Sequence, residues 1–149
     1  MTGEAIKTVL LVEDSPVDVR LTRELLREAS ACVDLHVVAD GVEALAFLRR
    51  KGIFANAPVP DLILLDLILP KMDGREVLKF IKRDENLKVI PAIILTTSDL
   101  EADILISYRL HANCYLNKPG ELEAFQRLVK SIVDFWLKKA TFPRQRQIG

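Results

Sequence analysis

Two apolar runs in this chain end in carboxylates, and those acids are the first sign of chemistry. Leu62-Ile63-Leu64-Leu65 leads directly into Asp66, and Val9-Leu10-Leu11-Val12 leads into Glu13-Asp14. A buried strand that carries an acid at its C-terminal end presents it at the rim of a sheet, where open α/β folds bind ligands. Three carboxylates at short range repel one another, and at least one would have its pKa raised. A hard divalent cation removes that conflict, because Mg2+ takes one or two carboxylates, a carbonyl oxygen and several waters. The pattern implies a cation at Asp66 more than catalysis by paired acids. A glycosidase-type pair fits poorly, since nothing marks a sugar cleft.

Two more strand ends supply matching parts. Thr96 closes a fourth apolar run and Lys118 closes a fifth. A hydroxyl donor and an ammonium point charge are the partners a phosphoryl group needs. Each residue also has an ordinary reading. Glu13-Asp14 complements a helix dipole, Asp66 caps a turn, Thr96 is a β-branched strand residue and Lys118 is a solvated lysine. Taken together, the four strand ends read as one phosphoryl site.

The elements that must hold these residues follow from periodicity. Apolar runs predict strands over 8–12, 35–39, 61–66, 92–97 and 114–117. Ser15-Pro16 starts a helix with Val17, Leu21, Leu25 and Ala29 on one face. A second helix turns Ala44, Leu45 and Leu48 inward and ends at Gly52 as a C-cap glycine. Asp73-Gly74 opens a third, with Val77, Leu78 and Ile81 inward. Ser98 or Asp99 caps a fourth, running to His111 with Leu105 toward the core. The fifth runs from Glu121 to Lys138 or Lys139.

Strands apolar throughout are buried on both faces. The expected architecture is therefore α/β: a doubly wound five-stranded parallel sheet with five helices, for which the flavodoxin-like order 2-1-3-4-5 is taken as the working arrangement. That order places the switch point between the first and third strands, the two that end in acids. One domain spans 1–149, with a core over about 7–139 and a polar basic tail over 140–149.

Composition narrows the function. The 149 residues are 50% hydrophobic with formal net charge zero. No global basic field favours nucleic acid. No run approaches the roughly 20 apolar residues of a membrane span, and residues 1–7 do not read as a signal peptide. Cys32 and Cys114 read as reduced packing residues of a cytoplasmic protein. His36 has no second ligand nearby and reads as a packed or solvated strand residue.

The acid pair Glu13-Asp14, the run Asp66-Leu67-Ile68-Leu69-Pro70-Lys71-Met72-Asp73-Gly74, Thr96 and Lys118-Pro119 resemble the receiver domain of two-component response regulators. The spacings fit: Thr96 follows Asp66 by 96 − 66 = 30 residues and Lys118 by 118 − 66 = 52. The resemblance covers about residues 7–137. It implies that Asp66 accepts a phosphoryl group from a sensor histidine kinase. It also implies that Asp14, Asp66 and the Ile68 backbone carbonyl bind Mg2+, with Glu13 acting through water, while Thr96 and Lys118 hold phosphoryl oxygens. Such a protein is a signalling phosphoacceptor that catalyses only its own phosphorylation and dephosphorylation. The resemblance further implies a cis Lys118–Pro119 bond. It assigns Tyr115 as a switch aromatic that turns from an outward position when Thr96 moves toward the phosphoryl group.

The signalling surface of the family comprises helix four, strand five and helix five. Ile104, Tyr108, Phe125, Phe135 and Trp136 are expected there, as the contact surface of a symmetric homodimer. The Phe135-Trp136 pair, with no output domain following, resembles the small response regulators paired with cyanobacterial and other bacterial phytochromes. Three positions depart from the family. His111 stands where glycine is usual, and Gly120 stands where an aromatic is usual. Ile68 is apolar at a position that shapes access of hydrolytic water, so self-dephosphorylation is expected to be slow.

Three other readings compete. A haloacid-dehalogenase-type phosphatase wants Asp-x-Asp after its first strand, where this chain has Glu13-Asp14. A phosphate-independent pseudo-receiver is disfavoured by the retained Asp14, Asp66, Thr96 and Lys118. A flavodoxin-like cofactor binder would need a phosphate-cradling glycine loop after strand one, which is missing.

Overall fold

Side chains along the central strands alternate between two apolar layers, and this alternation fixes the architecture. Val9, Leu11, Leu62, Leu64 and Ile93 face one side, and Leu10, Val12, Ile63, Leu65 and Ile94 face the other. A sheet that is apolar on both faces must be covered on both. The structure, a computed structural model, describes residues 5–29 and 32–143. Its strands are β1 (Lys7–Val12), β2 (Val33–Val38), β3 (Leu62–Leu65), β4 (Ala92–Thr96) and β5 (Cys114–Asn117). All pair in parallel, in the order β2-β1-β3-β4-β5. The expected topology is therefore the observed one.

The helices are α1 (Pro16–Ala29), α2 (Gly41–Arg49), α3 (Gly74–Arg83), α4 (Glu101–Arg109) and α5 (Leu122–Ile132). One layer sets α1 and α5 on the sheet through Leu25, Leu26, Phe125, Val129 and Ile132. The other sets α2 and α3 on it through Ala44, Phe47, Val77, Leu78 and Ile81. Each fully buried aliphatic side chain contributes roughly 1.5–3 kcal/mol. The rim acids are thus carried on the most deeply anchored strands, with Leu62, Ile63 and Leu65 of β3 wholly inaccessible.

Several local expectations need correction. The left-handed cap of α2 falls on Arg50 (φ 58°), and Gly52 (φ 59°) instead opens a short 3-10 turn, Gly52–Phe54. Val17 points to solvent, because α1 turns Thr22, Leu25 and Leu26 inward. Neither Ser98 nor Asp99 caps α4. Its N-cap is Leu100, without a side-chain bond. Leu105 is exposed, and Ser107 is the buried residue of α4. Apolar residues at 104, 105, 106 and 108 surround that helix, so periodicity could not choose its inner face. Beyond Ile132, α5 continues as a π-helical turn, Val133–Leu137. The part of the expected basic tail from 144 to 149 lies outside the described residues.

His111 closes the end of α4 in the place where glycine is usual. It adopts φ 72°, the left-handed conformation that glycine takes without penalty. Its amide bonds to the Tyr108 carbonyl (2.9 Å) and that of Ala112 to Ser107 (3.0 Å), which closes the helix end.

Candidate functional site

The acids of β1 and β3 meet at the C-terminal edge of the sheet. The Asp66 amide bonds to the Val12 carbonyl (3.1 Å) and the Glu13 amide to Val38 (3.0 Å), so ladder bonds extend to both acids. Glu13 and Asp66 are buried, at 4% and 7% exposure, whereas Asp14 is exposed. Carboxylate oxygens of Glu13, Asp14 and Asp66 all lie within 4.8 Å of one another. An all-oxygen donor set of this charge suits a hard divalent cation.

Lys118 neutralises part of this charge. Its ammonium bonds to Glu13, to Asp18 Oδ2 at 3.0 Å and to Asp66 Oδ2 at 3.1 Å. Burial alone would lower the Lys118 pKa. The bond to Glu13 and the charges of Asp66 and Glu13 outweigh burial and hold it above the ordinary lysine value. Burial also pushes the Glu13 carboxyl above its usual value, against the pull of Lys118. Asp18 was not singled out from the sequence. Its position one turn into α1, four residues after Asp14, was the only available signal.

The Lys118–Pro119 bond is not cis, since the described residues contain no cis peptide. A trans bond is intrinsically favoured by roughly 0.5–1 kcal/mol even before proline. Here it leaves the lysine within reach of all three acids, because the Lys118 amide bonds to the Thr96 carbonyl (2.7 Å) and fixes the end of β5.

Thr96 is fully buried, and its Oγ1 has no hydrogen-bond partner among the described residues. A buried hydroxyl left unpaired costs about 1–3 kcal/mol. An acceptor oxygen brought to the pocket would relieve that cost, so the residues present fit a phosphoryl group as well as a cation. Alternation puts Thr96 on the same sheet face as Ile94 and its register partner Tyr115. Tyr115 is not in the expected outward position. It is half-buried against the core, with its hydroxyl donating to the Ser98 carbonyl at 2.8 Å. The Ile68 side chain is exposed, and its amide donates to Asp66 Oδ1 (3.2 Å).

The main chain around Asp66 is tightly confined. The Gly74 amide donates to the Leu67 carbonyl at 2.8 Å. A Cβ on Gly74 would lie 2.2 Å from the Asp66 carbonyl oxygen, so only glycine fits there without displacement.

The expected partner surface is only partly assembled. Tyr108 and Phe135 are exposed and Ile104 is half-buried. Phe125 is a core residue at 4% exposure, in the apolar cluster that holds α1 and α5 on the sheet, and does not belong to that surface. Its spacing to Val129 and Ile132 puts it on the inner stripe of α5. Trp136 is half-buried and meets Phe135 edge to face at 5.2 Å. Of the other singled-out residues, Cys32 and Cys114 are half-buried. His36 bonds to Asp34 (3.0 Å) and packs on Phe47.

This geometry can be compared with known proteins. The chain is 49% identical over 137 residues to the response regulator Rcp1 of Synechocystis, covering 92% of this chain and 93% of that protein. A crystal structure of the Mn2+-bound form of Rcp1 superimposes with a TM-score of 0.90 at 48% identity, over 93% of this chain and 99% of that one. The phosphorylated cyanobacterial phytochrome response regulator RcpA superimposes with a TM-score of 0.91 at 51% identity, over 94% of this chain and 100% of that one. The model of the response regulator receiver domain matches residues 9–130. With its sheet order, its acidic rim and its buried lysine, the chain belongs to the response regulator receiver domain family.

Proposed function

We propose that this receiver accepts a phosphoryl group on Asp66 from a sensor histidine kinase of the phytochrome type. One observation carries the reading: a buried Asp66 carboxylate sits between an acidic pair and the Lys118 ammonium, and the buried Thr96 hydroxyl at the end of β4 has no partner among the described residues. Glu13, Asp14, Asp66 and the Ile68 carbonyl would hold the cation, which we take to be Mg2+. When bound, the cation supplies charge neutralisation to the transferring phosphoryl group.

The chain's own groups account for the rest. An Asp66 oxygen forms a bond to phosphorus as the bond from phosphorus to the donor's imidazole nitrogen breaks, and the donor leaves as neutral histidine once protonated. Lys118 and Thr96 bind the equatorial oxygens. Phosphoryl transfer needs positioning and electrostatics more than covalent chemistry from the protein, and this site offers both. The same groups serve self-dephosphorylation, which is slow because the Ile68 side chain cannot orient water.

The kinase assignment is supported by the likeness to RcpA, a phytochrome response regulator. It is also supported by exposed apolar side chains at the rim, Val17, Ile68, Leu100 and Leu122, which suit a protein donor. In this reading the protein works in the cytoplasm, where a kinase charged from ATP would meet it. Output runs through the α4–β5–α5 face, where Leu105, Ile106, Tyr108 and Phe135 are exposed and suit a homodimer contact.

The test is incubation with acetyl phosphate and Mg2+, read by intact mass. Wild type gains one PO3 unit and Asp66→Asn gains none. Absence of a gain in wild type, or an equal gain in the variant, refutes the assignment. Sedimentation of the same samples reads the dimer.

A further inference from the structure

The loop between β4 and α4 is held from three sides, and of the residues that hold it only Tyr115 has a place in the site described above. The Ser98 hydroxyl donates to Asp103 Oδ2 at 2.5 Å. The Ser98 carbonyl accepts both the Tyr115 hydroxyl (2.8 Å) and the Asn117 side-chain amide. The other Asp103 oxygen accepts from Arg75. Arg75 in turn forks on Asp73, with Nη1 at 2.9 Å from both carboxylate oxygens. Asp73 is the N-cap of α3 and ends the loop that follows Asp66. A continuous polar chain therefore runs from the Asp66 loop through Arg75, Asp103 and Ser98 to Tyr115.

The surroundings make this chain consequential. Asp103 has 16% side-chain exposure, so its pair with Arg75 is partly shielded from water and salt. The element it anchors is otherwise weakly held, since Ser107 is the one buried residue of α4. Elements with few buried apolar contacts are those whose position a few polar bonds can decide. Thr96 lies two residues before Ser98, and its carbonyl accepts the Lys118 amide. Any shift of Ser98 is felt at both phosphoryl-binding residues.

We propose that the Arg75–Asp103 ion pair is a latch that holds Ser98, and through the Ser98 carbonyl the Tyr115 hydroxyl, in the inward arrangement before a phosphoryl group arrives. Arg75 and Asp103 are then positioning residues for Thr96 and Tyr115. Receptivity of the site is set from 28 residues apart in sequence, across α3 and α4. This inference rests on the reading of Asp66 as phosphoacceptor for its effect on rate, but not for its effect on Tyr115.

The experiment separates the two. The full chain is labelled with 3-fluorotyrosine at its two tyrosines, and a Tyr108→Phe variant assigns the signals. Fluorine spectra are recorded without phosphate for wild type, Arg75→Gln, Asp103→Asn and Ser98→Ala. The latch predicts a single narrow Tyr115 signal in wild type and a displaced or split signal in all three variants. Labelling by acetyl phosphate and Mg2+ should slow by about fivefold or more in Arg75→Gln and in Asp103→Asn. The double variant should be no slower than either single one, because both remove the same link. A structural weakening without a latch would instead give additive losses. An unchanged Tyr115 signal, additive losses, or a moved signal with an unchanged labelling rate each overturn the proposal. If wild type is not labelled at all, the reading of Asp66 falls, and the fluorine spectra still decide whether the latch exists.

Discussion

Replacing Gly74 with alanine tests how closely the acceptor loop is confined. The added Cβ would stand 2.2 Å from the Asp66 carbonyl oxygen, 2.6 Å from the Leu67 Cα and 3.0 Å from the Asp66 carbonyl carbon. Ordinary contact begins near 3.4 Å, so a displacement of about 1 Å is required. All three neighbours are main chain, and none can swing aside as a side-chain tip would. Overpacking of this kind costs about 1–3 kcal/mol. In a domain of this size each kcal/mol lowers Tm by roughly 2–4 °C. The same displacement acts on Asp66 itself, and a shift of about 1 Å at a reacting group can cost on the order of 100-fold in rate. Urea melts followed by circular dichroism give the stability change, and intact-mass time courses with acetyl phosphate and Mg2+ give the rate. Gly120→Ala is the control, since nothing lies within 4 Å of its Cβ. Its stability should stay within about 0.5 kcal/mol of wild type. A Gly74→Ala protein that melts and labels like wild type would refute the steric reasoning.

Other outcomes are expected from the same structure. Mg2+ or Mn2+ at 100 times its Kd should stabilise the fold by about 2.7 kcal/mol. EDTA should reverse the gain and Asp14→Asn should largely abolish it; an equal gain in that variant places the cation elsewhere. His111→Gly should raise Tm by relieving the left-handed strain at φ 72°, with about 1 kcal/mol recovered. A lower Tm would show that the histidine side chain contributes more than its backbone costs. The Asp103 carboxyl is held below its ordinary value of 3.8, by the Ser98 hydroxyl first and then by Arg75. A depressed native pKa stabilises fully above the unfolded value and is lost as pH falls through the native one. The stability advantage of wild type over Asp103→Asn should thus be constant near neutrality and shrink below pH 3.8. An advantage that grows in acid would reverse the sign of the argument. The phosphorylated protein should keep its label for minutes or longer in Mg2+, and a half-life of seconds would count against the role given to Ile68.

The sequence alone determined the strands, their parallel sense and the polar groups at their ends, while their order is settled by the structure. A strand buried on both faces tolerates almost no polar residue along its length, so the first acid or hydroxyl after it marks the rim. Glu13, Asp14, Asp66, Thr96 and Lys118 were legible for that reason, and the structure brings the acids and the lysine together. What the tertiary structure alone decided depends on how each helix is rotated against the sheet. Phe125 turned inward, Leu105 turned outward, and Asp18 was drawn to Lys118 from 100 residues away in sequence. The bond before Pro119 stayed trans, and Arg75 found Asp103 across two helices. These contacts join side chains whose separation along the chain carries no period. Only packing the layers onto one sheet fixes which of them meet.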